Sequence, residues 1–245
     1  MNRLADLAWP DLEPVGSDGV GDAAAGRVLL VPLGSLEQHG PHLPFDTDTA
    51  IITAVVAAAA RRLPHALVAP VIPFGASGEH QGFAGTLSIG AEATEHLLVE
   101  LGRSAAETFP ALCFVNGHGG NVAALDRAVA RLQAEGRAVR GWSPRWEGDA
   151  HAGAVETSLM LVVAPERVRL SAAVAGDTRP LSEVLPLLRR DGVRSVSASG
   201  VLGDPTGARP DEGRRLLQEA VDGLVAFVRR EFPPPRPADR PGAAR

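Results

Sequence analysis

Three short segments of the chain concentrate residue types that bind divalent metal ions. Residues 37–48 carry two imidazoles and three carboxylates within twelve positions. Residues 116–121 form a Gly-rich segment around His118, and residues 149–157 contain His151 and Glu156. Neutral imidazole and carboxylate are ligands that suit Zn²⁺, Fe²⁺ and Mn²⁺. The chain therefore predicts a metal site assembled from three separate segments.

The first segment offers three candidate ligands. Residues at i and i+2 of an extended chain point the same way, so Glu37 and His39 can reach one site together. Asp48 can return to that site after the Pro-containing turn, and its two oxygens can bridge two cations. Asp48 or Thr49 can also cap the next predicted helix, and the two roles are compatible. His42 and Asp46, the other two ionisable residues of the segment, have three open roles: ligands, supports of ligands, or solvated groups.

The second segment reads Asn-Gly-His-Gly-Gly-Asn and follows an apolar strand. Gly-rich turns between a strand and a helix can also cradle phosphates. However, this one is neither G-x-G-x-x-G nor a Walker loop, and it carries a histidine where those loops carry none. We expect the glycines to let the backbone turn sharply and expose His118 as a metal ligand.

The remaining polar candidates have supporting roles. Glu156 could complete a metal shell, and His151 could move protons, since the histidine pKa lies near neutrality. Glu79 and His80 lie in a polar loop after the second strand and are expected to line a pocket. Trp142, together with Trp146, could form a wall for a ligand or simply pack in the core.

The chemistry that such a site supports is hydrolysis, because a divalent cation lowers the pKa of bound water and polarises a carbonyl. His151 would then protonate the leaving nitrogen. The alternative from another class is a non-catalytic binding protein with a structural metal. A closed structural site uses four protein ligands, and the additional histidines His80 and His151 argue against it.

Alternating apolar runs and helical patterns position these segments. Strands are predicted at 28–33, 66–72, 111–115 and 138–142, and helices at 49–63, 91–107, 122–135, 181–190 and 211–232. Periodicity does not decide between helix and strand for 155–163. This order indicates βαβ units and a mostly parallel sheet covered on both faces. We expect one domain over 1–232 and a disordered Pro-rich tail over 233–245.

Composition excludes several classes of partner. The net charge of −5 and the absence of a basic stripe argue against nucleic acid. No apolar run reaches the roughly 18–20 residues that cross a bilayer, and the N-terminus has no signal-peptide pattern. We therefore expect a cytoplasmic protein without a membrane partner. Cys113 is the only cysteine and lies in an apolar strand, where it should be a buried, inert thiol.

Taken together, residues 34–44, 116–121 and 151–158 resemble the creatininase family over about Val28 to Gly207. The resemblance implies a metal-dependent amidohydrolase with a three-layer α/β/α fold that assembles as a homo-oligomer. The metal-binding positions of the family fall on four residues here, with Asp48 as the bridging carboxylate: Glu37, His39, Asp48 and His118. His151 falls on a catalytic histidine, and Glu156 falls on the acidic residue that follows it.

One departure from the family concerns Gly120. Creatinine-hydrolysing members carry a metal-binding Glu there, so a second ion would need another group such as Glu156, or would be absent or weakly held. Residues 75–86 and 200–206 are similar to a peptide-processing branch of the family. That similarity implies a modified precursor peptide, cut before a cross-linked Val and decarboxylated Tyr, as substrate. It favours Fe²⁺ over Zn²⁺ or Mn²⁺, with one or two ions per subunit. The alternative substrate is a creatinine-type cyclic amide or a formamide.

Overall fold

Four parallel strands form the centre of the chain in the computed structural model, which describes residues 3–12 and 27–233. The strands are β1 (Val28–Leu33), β2 (Ala66–Val68), β3 (Ala111–Asn116) and β4 (Val139–Trp142). Their order in the sheet is β2-β1-β3-β4, so β1 and β3 are the two inner strands. The expected Pro-rich tail lies outside the described residues except for Pro233.

The two inner strands end at the same edge of the sheet. Their pairing runs in register from Val28↔Ala111 to Leu33↔Asn116. All six residues of β1 are buried, as expected for a strand that is covered on both faces. The loops that carry Glu37 and His118 therefore begin side by side, where parallel sheets usually build their binding sites.

Helices cover both faces of the sheet. The longer ones are α1 (Thr47–Ala60), α2 (Ala91–Ala105), α3 (Val122–Ala134), α4 (Ala154–Val163), α5 (Leu181–Asp191) and α7 (Pro210–Glu231), with a single turn, α6 (Val193–Val196), between the last two. The side chains of Val28 and Leu30 pack against α1 and α7, whereas those of Leu29 and Val31 pack against α2 and α3. This alternation produces the predicted three-layer α/β/α fold.

The differences from the predicted elements have local causes. The second strand is shorter than predicted because the ladder stops after Ala69 N donates to Leu30 O: the next donor on β1 would be residue 32, and Pro32 has no N–H. Only the single bridge Leu33↔Ile72 follows it. Residues 154–163, which periodicity left open, form a helix. The proposed caps of α1 are wrong: Asp46 occupies the N-cap position, and Asp48 lies inside the first turn.

Cys113 lies in the middle of β3 and is fully buried, as predicted. Burial raises the pKa of its thiol, because the thiolate would lose its hydration. No helix within residues 3–12 and 27–233 is both long enough and apolar enough to span a bilayer.

Candidate metal centre

The polar residues of the three segments meet at the carboxyl edge of β1 and β3. Backbone pairing continues past the strands, since Gly117 N donates to Leu33 O over 2.8 Å. The Asn121 amide then connects the loops: its Nδ2 donates to Gly34 O over 3.0 Å, and its Oδ1 accepts from Ala76 N over 2.8 Å. Asn121 is fully buried. One side chain therefore fixes three loops relative to one another.

Glu37, Asp48 and His118 form the first group of candidate ligands, which we call the inner triad because all three residues are buried. His118 Nε2 lies 3.1 Å from Glu37 Oε2, and His118 Nδ1 lies 3.1 Å from Asp48 Oδ2. Ser35 Oγ donates to Asp48 Oδ2 over 2.6 Å and holds that carboxylate in place.

The Glu37 carboxylate gives the strongest reason to place a cation here. Its side chain is 0% exposed, and neither oxygen has a hydrogen-bond partner among the described residues. A buried carboxylate without partners is costly unless a positive charge compensates it. A divalent ion between Glu37, Asp48 and His118 would supply that charge, so the donor set fits a metal.

His39, Asp48 and Glu156 form the second group, the outer triad, in which the Glu156 side chain is 16% exposed. His39 Nε2 lies 3.3 Å from Asp48 Oδ1 and 3.8 Å from Glu156 Oε2. The outer triad thus uses one oxygen of Asp48 and the inner triad uses the other. This is the arrangement that a carboxylate bridging two ions requires.

The start of α4 positions the Glu156 carboxylate. Asp149 accepts hydrogen bonds from the backbone N–H groups of Ala154 and Val155, and so satisfies donors that the first turn leaves free. Ala152 has φ 52°, the left-handed conformation that L-residues rarely adopt. Its N–H donates to Glu156 Oε2 over 2.7 Å. The tight turn therefore orients the carboxylate.

His151 and His80 complete the cluster. His151 Nδ1 lies 3.8 Å from Glu37 Oε1 and 3.9 Å from Glu156 Oε2, and His80 Nε2 lies 3.2 Å from Glu37 Oε1. The backbone of His151 pairs with Leu202, so residues 200–206 support the catalytic candidate directly. His80 was predicted to line a pocket, whereas the structure places it beside a candidate ligand.

Burial and charge shift the pKa values of these groups in opposite directions. Burial raises the pKa of Glu37 and of Glu156 to about 7. Burial alone would lower the pKa of His39 and His118, but nearby carboxylates, Asp48 for His39 and Glu37 for His118, raise it to about 10. Without an ion, imidazolium groups therefore take over the role of the compensating positive charge.

The two remaining histidines of the cluster stay neutral. Burial, and then the positive charges on His118 and His39, lower the pKa of His80 to about 3. Burial and the neighbouring His39 lower the pKa of His151 well below its usual value. Each therefore has one ring nitrogen with a lone pair at neutral pH.

Gly120 has a steric reason to lack a side chain. A Cβ at this position would lie 2.3 Å from Ala76 O, 2.4 Å from His118 Nε2 and 2.5 Å from Glu79 Oε1. Glu79 itself lies 3.6 Å from His118 Nε2, with its side chain 30% exposed. The carboxylate at the rim of the cluster therefore comes from residue 79 and not from residue 120.

Four further sequence candidates belong to neither triad. Trp142 packs into the apolar layer between the sheet and α7, with Gly223 beneath its ring, and Trp146 packs there too. The structure thus supports the packing explanation of Trp142 and not a role as a pocket wall. His42 is buried against the Thr157 hydroxyl, and Asp46 pairs with Arg167 at the surface.

Several polar residues that position the cluster were missed by the sequence analysis. They are Ser35, Gln38, Asn121, Asp149 and Thr157, all of which hydrogen-bond near candidate ligands. Four of them lie within the three segments, and Ser35 lies two residues before the first. Their neutral or short side chains gave no reason to separate them from ordinary turn residues.

Comparison with known proteins gives concordant matches. The profile of a family described as "Creatinine amidohydrolase" matches residues 5–228. The chain is 56% identical over 217 residues to the "Mycofactocin precursor peptide peptidase" of Mycobacterium ulcerans (strain Agy99), covering 84% of this chain and 86% of that protein. The crystal structure of a creatinine amidohydrolase superposes with a TM-score of 0.77 at 27% identity, covering 95% of this chain and 98% of the other. A structure described as "Creatininase Mn" gives a TM-score of 0.76 at 27% identity, with 95% and 99% covered.

Proposed function

The chain belongs to the creatininase family, and from this membership we propose that it is a metal-dependent peptidase that cleaves the mycofactocin precursor peptide. The bond cut would be the amide before the C-terminal cross-linked Val-Tyr-derived dipeptide. The observation that carries this choice of substrate is the 56% identity to the Mycobacterium ulcerans peptidase over 84% of the chain. The creatinine amidohydrolase structure is similar at only 27% identity.

The cluster would accommodate one or two ions per subunit, with two ions placed one at each triad. Glu37, Asp48 and His118 would hold the first, and His39, Asp48 and Glu156 the second. A bound divalent cation supplies Lewis acidity toward a carbonyl oxygen and lowers the pKa of water. We favour Fe²⁺, by resemblance to the peptide-processing branch, over Zn²⁺ or Mn²⁺; imidazole and carboxylate ligands accept all three.

The side chains of the cluster then have distinct tasks. His151 accepts the proton that water loses on adding to the scissile carbonyl, and it delivers a proton to the leaving nitrogen. Its Nδ1 faces both Glu37 and Glu156, so it lies at the junction of the triads. Glu156, oriented by the Ala152 N–H, would hold the second ion together with His39 and Asp48.

The second candidate is hydrolysis of a small cyclic amide, which the similarity to the creatinine amidohydrolase structure favours. A formamide is a third substrate with the same bond chemistry. A non-catalytic, metal-stabilised protein fits less well, because His80 and His151 are buried beyond the number of ligands that a closed site needs. We also propose a homo-oligomer, on the family resemblance, which light scattering coupled to size exclusion would establish.

The deciding experiment is product analysis by mass spectrometry. Anaerobically prepared protein with quantified metal is incubated with the modified precursor peptide, with the unmodified peptide and creatinine in parallel. We expect loss of the C-terminal two-residue unit from the modified peptide alone. Cleavage of creatinine alone would reject the peptide substrate and retain the amide chemistry.

The matched variants are His118→Ala and His96→Ala. His118→Ala should abolish turnover and reduce the bound metal, because it removes an inner ligand. His96 lies on α2, away from the cluster, and its replacement should leave both unchanged. Full activity of the His118→Ala protein would reject the assignment of the site.

A further inference from the structure

Gln38 lies between Glu37 and His39 in the chain, and its side chain contacts both neutral histidines of the cluster. It is 5% exposed. Its Nε2 lies 2.8 Å from His80 Nδ1, 3.1 Å from His151 Nε2 and 3.1 Å from Gly200 O. The Gln38 amide is not among the candidate metal ligands, so its three contacts need another explanation.

The orientation of the amide is determined by backbone groups. Gly40 N donates to Gln38 Oε1 over 2.9 Å, and a backbone N–H can only donate. Gly200 O can only accept, so the atom facing it must be the Nε2 donor. A flipped amide would place like groups together at both contacts. The oxygen and nitrogen positions are therefore fixed without reference to any histidine.

The backbone carbonyl of Gln38 fixes the first imidazole. His151 Nε2 lies 2.8 Å from Gln38 O, which has only lone pairs to offer. His151 must therefore carry its proton on Nε2. The opposite ring nitrogen, Nδ1, is then the one with the lone pair, and it faces Glu37 and Glu156.

The side chain of Gln38 fixes the second imidazole. One amide hydrogen is used by Gly200 O, and the other cannot go to His151 Nε2, which already carries a proton. It points to His80 Nδ1, the shortest of the contacts, and that nitrogen must accept it with a lone pair. His80 then carries its proton on Nε2, 3.2 Å from Glu37 Oε1. With the reverse tautomers, His80 Nδ1–H would face the Gln38 Nε2–H, and the lone pair of His151 Nε2 would face the carbonyl oxygen of Gln38.

We propose that Gln38 is a positioning residue that sets the tautomers of His80 and His151, so that His151 presents an Nδ1 lone pair to the reacting centre and His80 presents Nε2–H to Glu37. The proposal rests on the proposed function for the identity of the reaction, but the tautomers themselves do not depend on the substrate. The ligand set of the triads does not include Gln38, so its effect is on proton transfer and not on coordination.

Nitrogen-15 NMR of zinc-loaded, full-length protein with labelled histidine tests the proposal directly. Wild-type protein should show lone-pair (pyridine-type) signals for Nδ1 of His80 and of His151 and protonated (pyrrole-type) signals for Nε2 of both. A pyrrole-type Nδ1 on either residue overturns the proposal. This measurement needs no variant and no substrate, so absence of peptide cleavage would reject the proposed function and leave this result intact.

The variant Gln38→Glu keeps the shape of the side chain but has no N–H to donate. His80 should move its proton to Nδ1, and kcat should fall about 10–100-fold, the usual cost of removing a group that orients site residues, with KM and zinc content unchanged. The matched control is Gln133→Glu on α3, whose amide donates to Val139 O at the other end of the sheet. In the Gln133→Glu protein, the tautomers of His80 and His151 and the kcat should equal those of the wild type. Wild-type tautomers and kcat in Gln38→Glu would overturn the proposal.

Discussion

The inner and outer triads share Asp48 but are built in different ways. In the inner triad, Glu37 and His118 follow the two central strands, whose pairing is in register to the last residue. Asn121 ties their loops together, and Ser35 holds Asp48. All of these residues are buried, and buried side-chain hydrogen bonds hold them in place. The inner triad is therefore preorganised by the sheet.

The outer triad depends on a turn. Glu156 is oriented by the Ala152 N–H in a left-handed turn, and Asp149 holds the start of α4. Its carboxylate is also the more exposed of the two glutamates. Since local opening is easiest where few buried contacts oppose it, we expect the outer triad to bind its ion more weakly. We therefore expect tighter binding at the inner triad and faster ion exchange at the outer triad.

The largest effect is expected from Asp48→Asn, because it removes the charge that both triads share. Both ions should be lost, and turnover should fall about 1000-fold or more, as several kcal/mol of transition-state stabilisation disappear. Metal analysis by mass spectrometry and steady-state kinetics measure this. Asp46→Asn, two residues away and paired with Arg167 at the surface, is the control and should retain both ions. Full metal content in Asp48→Asn would refute a shared carboxylate.

The pair Glu37→Gln and Glu156→Gln separates the two triads. Glu156→Gln should keep one tightly bound ion per subunit and lose about 10–100-fold in turnover. Glu37→Gln should lose the tight ion and remove more activity, because Glu37 is the fully buried one of the two glutamates. Calorimetric titration of metal-free protein gives the number and affinity of the sites. Loss of the same ion in both variants would contradict the assignment of one ion to each triad.

The pH dependence of ion binding should be the same for both triads. A bound ion requires deprotonated ligands, so protons compete below each pKa. His118 and His39 each have a pKa raised to about 10, and Glu37 and Glu156 each have one raised to about 7. Affinity should rise about tenfold per pH unit from 7 to 10, where one imidazole proton is displaced per ion.

Below pH 7, ion binding must displace a carboxyl proton as well as the imidazole proton. The affinity for the ion should therefore fall about 100-fold for each pH unit. Competition against a fluorescent chelator across pH 6–9 measures both slopes. A constant ratio between inner and outer affinities would support equal proton release. A ratio that changes with pH would show that the two triads differ in protonation as well as rigidity.

The smallest effect concerns Gly120→Ala, which tests the packing behind the inner triad. The added Cβ would press on Ala76 O, His118 Nε2 and Glu79, so we expect a loss of about 1–3 kcal/mol in the free energy of unfolding and weaker binding of the inner ion. Gly119→Ala, with open space around its Cβ, is the control. Urea unfolding of both variants decides. Equal free energies of unfolding in the two variants would mean that the loop around Gly120 can shift to accommodate the added Cβ.

The sequence was sufficient to predict most of the fold. Apolar runs and helical spacing located the four strands and the principal helices because burial on both faces leaves a strong pattern in each strand, such as Leu29–Val31 of β1. The sequence was insufficient at two elements. Pro32 of β1 offers no N–H to β2 beyond Ala69, and the apolar run at 154–163 could have formed either a helix or a strand.

The candidate site was predicted in part. Glu37, His39, Asp48, His118, His151 and Glu156 meet in space, because each follows or begins an element at one edge of the sheet. The supports were not predicted, because an amide such as Gln38 acquires its importance only from groups up to 162 residues away in the chain. The two roles left open for Trp142 could not be separated for the same reason, since only the position of α7 shows where its ring packs.

The single buried thiol makes the protein its own reporter of sheet opening. Cys113 is fully buried in β3, the strand that ends at His118, so a thiol reagent can reach it only when that strand separates from its neighbours. An ion held by Glu37 and His118, which follow β1 and β3, would connect the ends of these strands and should slow this reaction. The rate of labelling at one native cysteine would then follow metal loading without any engineered probe.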